Sequence, residues 1–365
     1  MPLHKLLQKA DDLTSVSSAS CDDIFDEAHR ILNICNICKY CNGYCEVFRA
    51  SERHPDLTRD EITYLAHLCH NCRNCWPACQ YAPPHVFNIN IPAVMAEIRE
   101  KSWKRRNWIA LVFIVLYPLL TLLLVPWSVL FAVHEGPGAF YRVLPLWVLV
   151  TTSLLPTVIS GSFLLIRLIL FWKNSGGGNP WGAFIAALRD MAFLTNLKGG
   201  GIGCNDYDDV FSQWKRRFHM LLAGGFLMCL LATCLVAVYH FAFGLISPHP
   251  ILSLPVMLSM IGGIGVLIGA AGLGWIKYKA DPQLDAAPRD FSLLILLFLI
   301  ALTGYGVAFL RSTSAMGLML AIHMGFVTGF FATLSCGKIA HVPFRALALL
   351  RAAMERHKEK EKAGK

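Results

Sequence analysis

The sequence predicts an all-α protein in which a small soluble head precedes a bundle of six membrane helices. Hydrophobic residues make up 55% of the 365 residues and charged residues only 16%, whereas soluble domains are about a quarter charged. Most of the apolar excess follows residue 107, in runs long enough to span a bilayer. We expect the head in residues 1–100, the membrane region in 101–345 with a long loop at 174–214, and a basic tail in 346–365.

Eight cysteines of the head repeat one spacing, C-x2-C-x2-C-x3-C, twice: Cys35, Cys38, Cys41 and Cys45, then Cys69, Cys72, Cys75 and Cys79. Thiolates at this spacing hold [4Fe–4S] clusters, and in two-cluster ferredoxins the fourth cysteine ligates the neighbouring cluster. By this crossing rule, one cluster is bound by Cys35, Cys38, Cys41 and Cys79, and the other by Cys69, Cys72, Cys75 and Cys45. The usual proline after the fourth cysteine is absent, with Glu46 and Gln80 in its place, so the crossing stays open.

Helical periodicity precedes each cysteine motif, over 21–34 and 58–68. Thr58 and Glu61 have the spacing of a capping box at the start of the second helix. A helix leading directly into each motif is typical of an α-helical two-cluster ferredoxin. His67 and His70 flank the second motif, and we expect them to tune or shield a cluster, because the cysteines already complete the ligand set.

Six apolar runs predict membrane spans at about 108–133, 145–172, 217–243, 251–275, 291–311 and 317–340. The loop after the second span has the periodicity of a further helix over 180–194. Lys and Arg concentrate before the first span, in alternate loops and after the last span, whereas the opposite loops hold only Arg142 and Arg311. The positive-inside rule therefore predicts a multi-pass protein with the head and both termini in the cytoplasm. The polar segment Met1–Ala19 has no signal-peptide pattern, which agrees with this orientation.

The net charge of +9 does not predict nucleic-acid binding. The Lys and Arg residues flank membrane helices rather than forming a stripe interleaved with aromatic residues, so the bilayer accounts for their positions.

Four histidines lie at the ends of two predicted spans, His219 and His240 in the third and His323 and His341 in the sixth. His323 and His341 are 18 residues apart, five full helical turns, so we expect them to share one helix face about 27 Å apart. The two spans run in opposite directions, so His219 should meet His341 at the cytoplasmic side and His240 should meet His323 at the other side. Each pair can supply the two axial imidazoles of a b haem. Two haems, or one at the cytoplasmic pair, both agree with this pattern.

These motifs resemble the citrate/tricarballylate-utilisation protein B family. The resemblance rests on the doubled cysteine motif, the stretch KGGGIGC, Phe218-His219, Tyr239-His240 and the ending IHMGFVTGFFATLSCGKIAHVPFRA. The last stretch is also similar to the haem-binding end of nitrate reductase gamma subunits.

The resemblance implies a function and a location. In that family, electrons come from a flavoprotein containing FAD that dehydrogenates tricarballylate to cis-aconitate, and they pass to the quinone pool of the bacterial inner membrane. Two [4Fe–4S] clusters, haem b and quinone are thus the implied cofactors and acceptor, and the flavoprotein is the implied partner.

Two classes of function remain open on the sequence. A membrane electron-transfer subunit needs a separate dehydrogenase, because this chain has no Rossmann G-x-G-x-x-G in a βαβ setting. The donor is then the family flavoprotein, or a heterodisulfide-reductase-like or cobalamin-pathway flavoprotein. The other class is a redox sensor in which the metals regulate assembly. For a quinone site, Trp214, Arg216, Arg217 and the run 206–209 are candidates by position alone.

Overall fold

The computed structural model describes residues 24–103, 106, 108–201, 203–208, 210–280 and 291–363. The leading segment 1–23, with the predicted start of the first helix, lies outside these residues. Within them the regular secondary structure is almost entirely helical, as predicted, and its strands are one short antiparallel pair, β1 (Cys204–Asn205) and β2 (Phe211–Ser212).

Four helices begin the head: α1 (Ile24–Cys38), α2 (Glu46–Arg53), α3 (Arg59–Leu68) and α4 (Ile91–Trp103). The capping box is confirmed, because the Thr58 hydroxyl accepts a hydrogen bond from the Glu61 amide and the Glu61 carboxylate accepts one from the Thr58 amide. Helix α1 runs four residues beyond its predicted end and so carries Cys35 and Cys38 on its last turn. Lys39, with a φ of 59°, ends it.

The apolar core of the head includes a fifth helix from the far end of the chain, α14 (His341–Ala363). The segment expected as a basic tail thus provides Ala348, Leu349 and Ala352 to the same core as Ile31, Leu65 and other residues of α1 to α4. Tyr64 is fully buried there, and its hydroxyl donates to the Glu355 carboxylate at 3.2 Å.

Each of the six predicted spans contains an apolar helix. They are α5 (Trp108–Leu124), α8 (Leu146–Asn174), α10 (Trp214–Phe243), α11 (Leu254–Lys279), α12 (Ser292–Leu310) and α13 (Met316–Ala332). In the described chain α8, α10, α11 and α12 are long enough and apolar enough to cross a membrane, and α5 and α13 are shorter apolar helices of 17 residues each. The molecule is a membrane protein.

Proline and a turn shorten the first and last predicted spans. The chain passes through Pro118 and Pro156 within α5 and α8, but α5 ends two residues before Pro126, since the residue preceding a proline disfavours the α conformation. Two short helices follow, α6 (Trp127–Leu130) and α7 (Ala139–Val143).

The prediction that His323 and His341 lie on one helix is wrong. Helix α13 ends at Ala332, and His341 begins α14. The break is built at Thr333, whose hydroxyl donates to the Gly329 carbonyl at 3.0 Å and whose own carbonyl accepts from the Gly337 amide at 2.6 Å. The chain therefore turns before it reaches His341.

The long loop of the sequence packs onto the head. It contains α9 (Phe184–Ala192), where a helix was predicted, and Ala187 of α9 is fully buried in a cluster with Ala353 and Met354 of α14. Farther along, the backbone N–H of Asn205 donates to the Cys72 carbonyl at 3.2 Å and to the Asn74 side-chain oxygen at 3.0 Å. The loop thus covers the second cysteine motif.

Glycines allow α10 and α11 to approach closely. A Cβ on Gly269 would lie 2.6 Å from the Leu222 amide nitrogen and 2.7 Å from the Phe218 carbonyl oxygen. A Cβ on Gly262 would lie 2.6 Å from the Gly225 carbonyl oxygen. Small residues let membrane helices pack backbone against backbone, and this pair holds the start of α10, with His219, in place.

Candidate metal centres

The four cysteines assigned to one cluster line a single cavity. Its volume is about 220 Å³, and it combines Cys35, Cys38 and Cys41 of the first motif with Cys79 of the second. The rest of its wall is neutral, formed by side chains that include Tyr40, Phe48, Gln80 and Tyr81.

The strongest electrostatic neighbours of the thiols follow the same two sets. The pKa of Cys41 is raised to about 12, first by burial and then by Cys79 and Cys38. Burial likewise raises the pKa of Cys45 well above its usual value, and the neighbouring charges that raise it further are Cys72 and Cys69. The fourth cysteine of each motif is therefore close to the other motif.

These thiols suit a cationic metal centre. Burial and mutual repulsion disfavour their thiolate forms, and bound iron would supply the compensating charge. They are not gathered to coordination distance, since no group of three or more His, Cys, Asp or Glu side chains among the described residues is close enough to hold a metal ion. The fit therefore rests on the shared cavity and on the donor set.

Two arginines meet at the second motif. Arg99, which is buried, donates from Nη1 to the carbonyls of Ala66 and Cys69, both at 2.8 Å. Arg345, which is half-buried, donates from Nη2 to the same Cys69 carbonyl at 2.6 Å and from Nε to the His67 carbonyl at 3.3 Å. In the described chain neither forms an ion pair with a carboxylate.

His219 and His341 both lie near this motif. The pKa of His341 is lowered to about 3, first by burial and then by the positive charge of Arg345, and His219 is near enough to contribute. His341 donates from Nδ1 to the Lys338 carbonyl at 2.5 Å, which leaves Nε2 for a metal, the arrangement usual for ligating histidines. The Nδ1 of His219 is buried without a hydrogen-bond partner in the described chain.

His240 and His323 have different surroundings. His240 contacts the Tyr141 ring edge to face at 5.7 Å, whereas His323 is hydrogen-bonded through Nδ1 to the Thr303 hydroxyl at 3.0 Å. No described contact joins the two histidines.

His67 and His70, the predicted tuning residues, are both buried beside the second motif. His67 stacks on Phe344, with ring centroids 4.8 Å apart and an angle of 13° between the planes. His70 donates from Nδ1 to the Leu68 carbonyl at 2.7 Å. Neither contact involves a cysteine side chain.

The positional candidates for a quinone site have other contacts. Arg216 donates to the Phe193 carbonyl at 2.9 Å, and the Arg217 guanidinium lies 5.0 Å from the centre of the Trp214 ring. Asp206 is buried near Lys215, whose Nζ donates to the Asn71 carbonyl at 2.6 Å. Asp206 thus belongs to the cover of the second motif, whereas Tyr207 and Asp208 are exposed and Asp209 lies outside the described residues.

Sequence reasoning missed Arg99, Arg345 and the loop residue Asn205. Arg345 lies 276 positions from Cys69, and no spacing rule connects them. The available signal for Arg345 is that it lies among basic residues after the last span. The positive-inside rule accounts for such residues by membrane orientation alone, so it does not indicate a contact with the head.

Comparisons with known proteins agree with this architecture. Residues 28–105 match the family model described as "Citrate utilization protein B Fer4-like domain", and residues 101–362 match the model described as "Citrate utilization protein B". A protein of Escherichia coli described as "Citrate utilization protein B" is 36% identical over 378 aligned positions, which cover 98% of each chain. No solved structure gives a significant match. The chain thus combines a Fer4-like head with an apolar helical region, and it matches this relative over nearly its whole length. It belongs to the citrate utilization protein B family.

Proposed function

We propose that this protein is a membrane electron-transfer subunit of citrate or tricarballylate utilisation. It accepts electrons from a reduced flavoprotein at the head and passes them, through two [4Fe–4S] clusters and a b haem, to quinone in the bacterial inner membrane. The head and both termini lie in the cytoplasm. The partner that fits the family is an FAD-containing dehydrogenase of the tricarballylate type.

The observation that carries this proposal is the cavity shared by Cys35, Cys38, Cys41 and Cys79. It supports two clusters with crossed ligands, Cys79 on the first and Cys45 on the second. The clusters, when bound, would supply one-electron relay. The influence of Cys72 on the pKa of Cys41 means that the two sets of thiols adjoin each other, as a relay requires.

The chain's own residues join the head to the bundle. Arg345 ties the second motif to α14, and Lys215 ties it to the first turn of α10, so His219 and His341 are held beside that motif. This arrangement favours a haem at His219 and His341. A further haem at His240 and His323 remains a prediction of the sequence pattern.

Purified protein in lipid nanodiscs tests the proposal. We expect about eight iron atoms in clusters per chain from the ligand count, a b-type haem spectrum, and reduction of both on addition of a reduced flavoprotein dehydrogenase. His341→Ala should remove the haem signal and leave the cluster absorbance. Intact clusters that no flavoprotein reduces would favour the redox-sensor class instead.

A further inference from the structure

We propose that a cavity between α5, α8 and α13 binds the ring of an isoprenoid quinone. This inference rests on the proposed function and gives its acceptor a place. The cavity has a volume of about 940 Å³ and a mostly apolar wall, with Phe113 and Tyr117 from α5, Leu155 and Ile159 from α8, and Thr328 and Ala332 from α13. Pockets of this size and character bind drug-sized ligands.

Thr328 gives this apolar wall an unsatisfied polar group. The residue is only 1% exposed, and its hydroxyl has no hydrogen-bond partner in the described chain. Other threonines of the bundle, such as Thr121 and Thr333, donate to the carbonyl four residues earlier, at 2.9 and 3.0 Å. A buried hydroxyl without a partner is costly, and a quinone carbonyl would accept its hydrogen, whereas a lipid acyl chain would not.

The cavity has a fixed polar end near the head. Arg167 donates to the backbone carbonyls of Ser335 and Ser102, and the Ser160 hydroxyl donates to the Ser335 hydroxyl at 3.1 Å. Tyr117 adds a further polar atom farther along, hydrogen-bonded to the Thr152 hydroxyl at 3.2 Å. A ring with oxygens on opposite sides fits an apolar cavity with polar groups at separate points, and its prenyl tail would leave toward the lipid.

A ring stack connects this polar end with the second cysteine motif. The Arg167 guanidinium lies 5.6 Å from the centre of the Phe344 ring. Phe344 stacks on His67 at 4.8 Å, and His67 is two residues before Cys69. Electron transfer slows steeply with distance, and the proposed haem ligand His341 lies three residues before Phe344 in α14. An acceptor in this cavity is therefore well placed to receive electrons from a haem at His341.

The described lining residues include no histidine. A haem with two axial imidazoles therefore has no ligands in this cavity, which leaves it to an amphiphile held by hydrogen bonds and apolar contacts.

Binding of a quinol analogue tests the inference. The probe is 2-heptyl-4-hydroxyquinoline N-oxide, whose fluorescence falls on binding, titrated into the full-length protein in nanodiscs. Thr328→Val should weaken binding about tenfold, the loss of one hydrogen bond. Ala332→Phe, which fills the cavity, should abolish binding while cluster and haem spectra stay as in wild type. The matched control is Thr233→Val, since Thr233 donates to the Cys229 carbonyl on an exposed face of α10. The affinity of this variant for the analogue should equal that of the wild type.

Unchanged affinity in Ala332→Phe would overturn the inference, as would displacement of the analogue by phosphatidylglycerol but not by menaquinone. Both results leave the proposed function standing, because cluster and haem reduction by the flavoprotein is measured separately. A wild-type protein without clusters or haem would instead remove the proposed function.

Discussion

Among single residues, Cys79 is the clearest test of how the two motifs share ligands. It belongs to the second motif in the sequence but lines the cavity of the first. Cys79→Ser should therefore perturb the cluster at Cys35, Cys38 and Cys41, and Cys45→Ser the cluster at the second motif. Electron paramagnetic resonance of the dithionite-reduced variants distinguishes the two clusters.

Cys229→Ser is the matched control for that experiment, because the Cys229 thiol lies in the membrane region, where it donates to the Ser259 carbonyl. It should retain both cluster signals. If Cys79→Ser instead altered the same signal as Cys72→Ser, the crossed assignment would be wrong.

Arg345 is expected to raise the reduction potential of the cluster at the second motif. A [4Fe–4S] cluster gains negative charge on reduction, and the guanidinium on the Cys69 carbonyl stabilises the reduced form. Arg345→Gln should lower the ratio of reduced to oxidised cluster at a fixed potential about tenfold, which is about 59 mV for one electron. A redox titration followed by electron paramagnetic resonance measures this shift.

Arg49→Gln provides the comparison. Arg49 also donates to a carbonyl in a cysteine motif, that of Asn42 at 3.0 Å, but in an exposed position, where solvent screens the charge. We expect neither potential to move in this variant. Equal shifts in Arg345→Gln and Arg49→Gln would rule out a specific effect of Arg345.

Among the helices, α10 and α11 can pack closely because glycines, which have no side chain, lie at their contact. Gly269→Ala places a methyl group against the α10 backbone and should lower stability by about 1–3 kcal/mol. Gly224→Ala, on the same helix pair, should be nearly neutral, because a Cβ at this position would meet no other atom within 4 Å. Thermal unfolding in detergent compares the two, and equal losses would contradict the close approach.

The helices also show which features of the fold a local sequence pattern can predict and which it cannot. The cysteine spacing, the Thr58 cap and the six apolar runs are local features, and the sequence pattern was sufficient to predict them. The break between α13 and α14 contradicts the prediction of one continuous span, although Thr333, Ser335 and Gly337 are weak helix formers. The apolar residues on either side hide this local signal, and the hydrogen bonds of Thr333 and Gly337 form the turn. The placement of α14 in the head depends on contacts about 300 positions apart in the chain, which no periodicity reveals.

For the whole molecule, a network of charged and hydrogen-bonded side chains joins the head helices to α14. Glu355 of α14 accepts from Tyr64 and Arg351 and is hydrogen-bonded to His54 at 3.0 Å. Burial raises the pKa of Glu355, but His54, Arg351 and Arg53 outweigh this effect, and the net pKa is below the usual value. A carboxylate with a lowered folded-state pKa stabilises the fold above its unfolded pKa, about 4.3, and loses that contribution as the pH falls through the folded value.

Glu355→Gln should therefore reduce the stability of the head by about 2 kcal/mol at pH 7. The difference from wild type should shrink as the pH is lowered below about 4. Thermal unfolding across this pH range measures it. Glu361→Gln is the control, since the Glu361 side chain is 62% exposed and, among the described residues, pairs with His357 alone. A pH-independent difference would contradict the ionic origin.

The burial of α14 in the head also constrains when the protein can mature. Domains usually fold in order as the ribosome releases them, but this head lacks Ala348, Leu349 and Ala352 of its core until all six apolar helices have been made. The apolar helices must therefore enter the membrane before the head can close. Iron–sulfur assembly factors would then meet a stable head only after the membrane helices and α14 have been synthesised, so a nascent chain that failed to insert would not hold the proposed clusters.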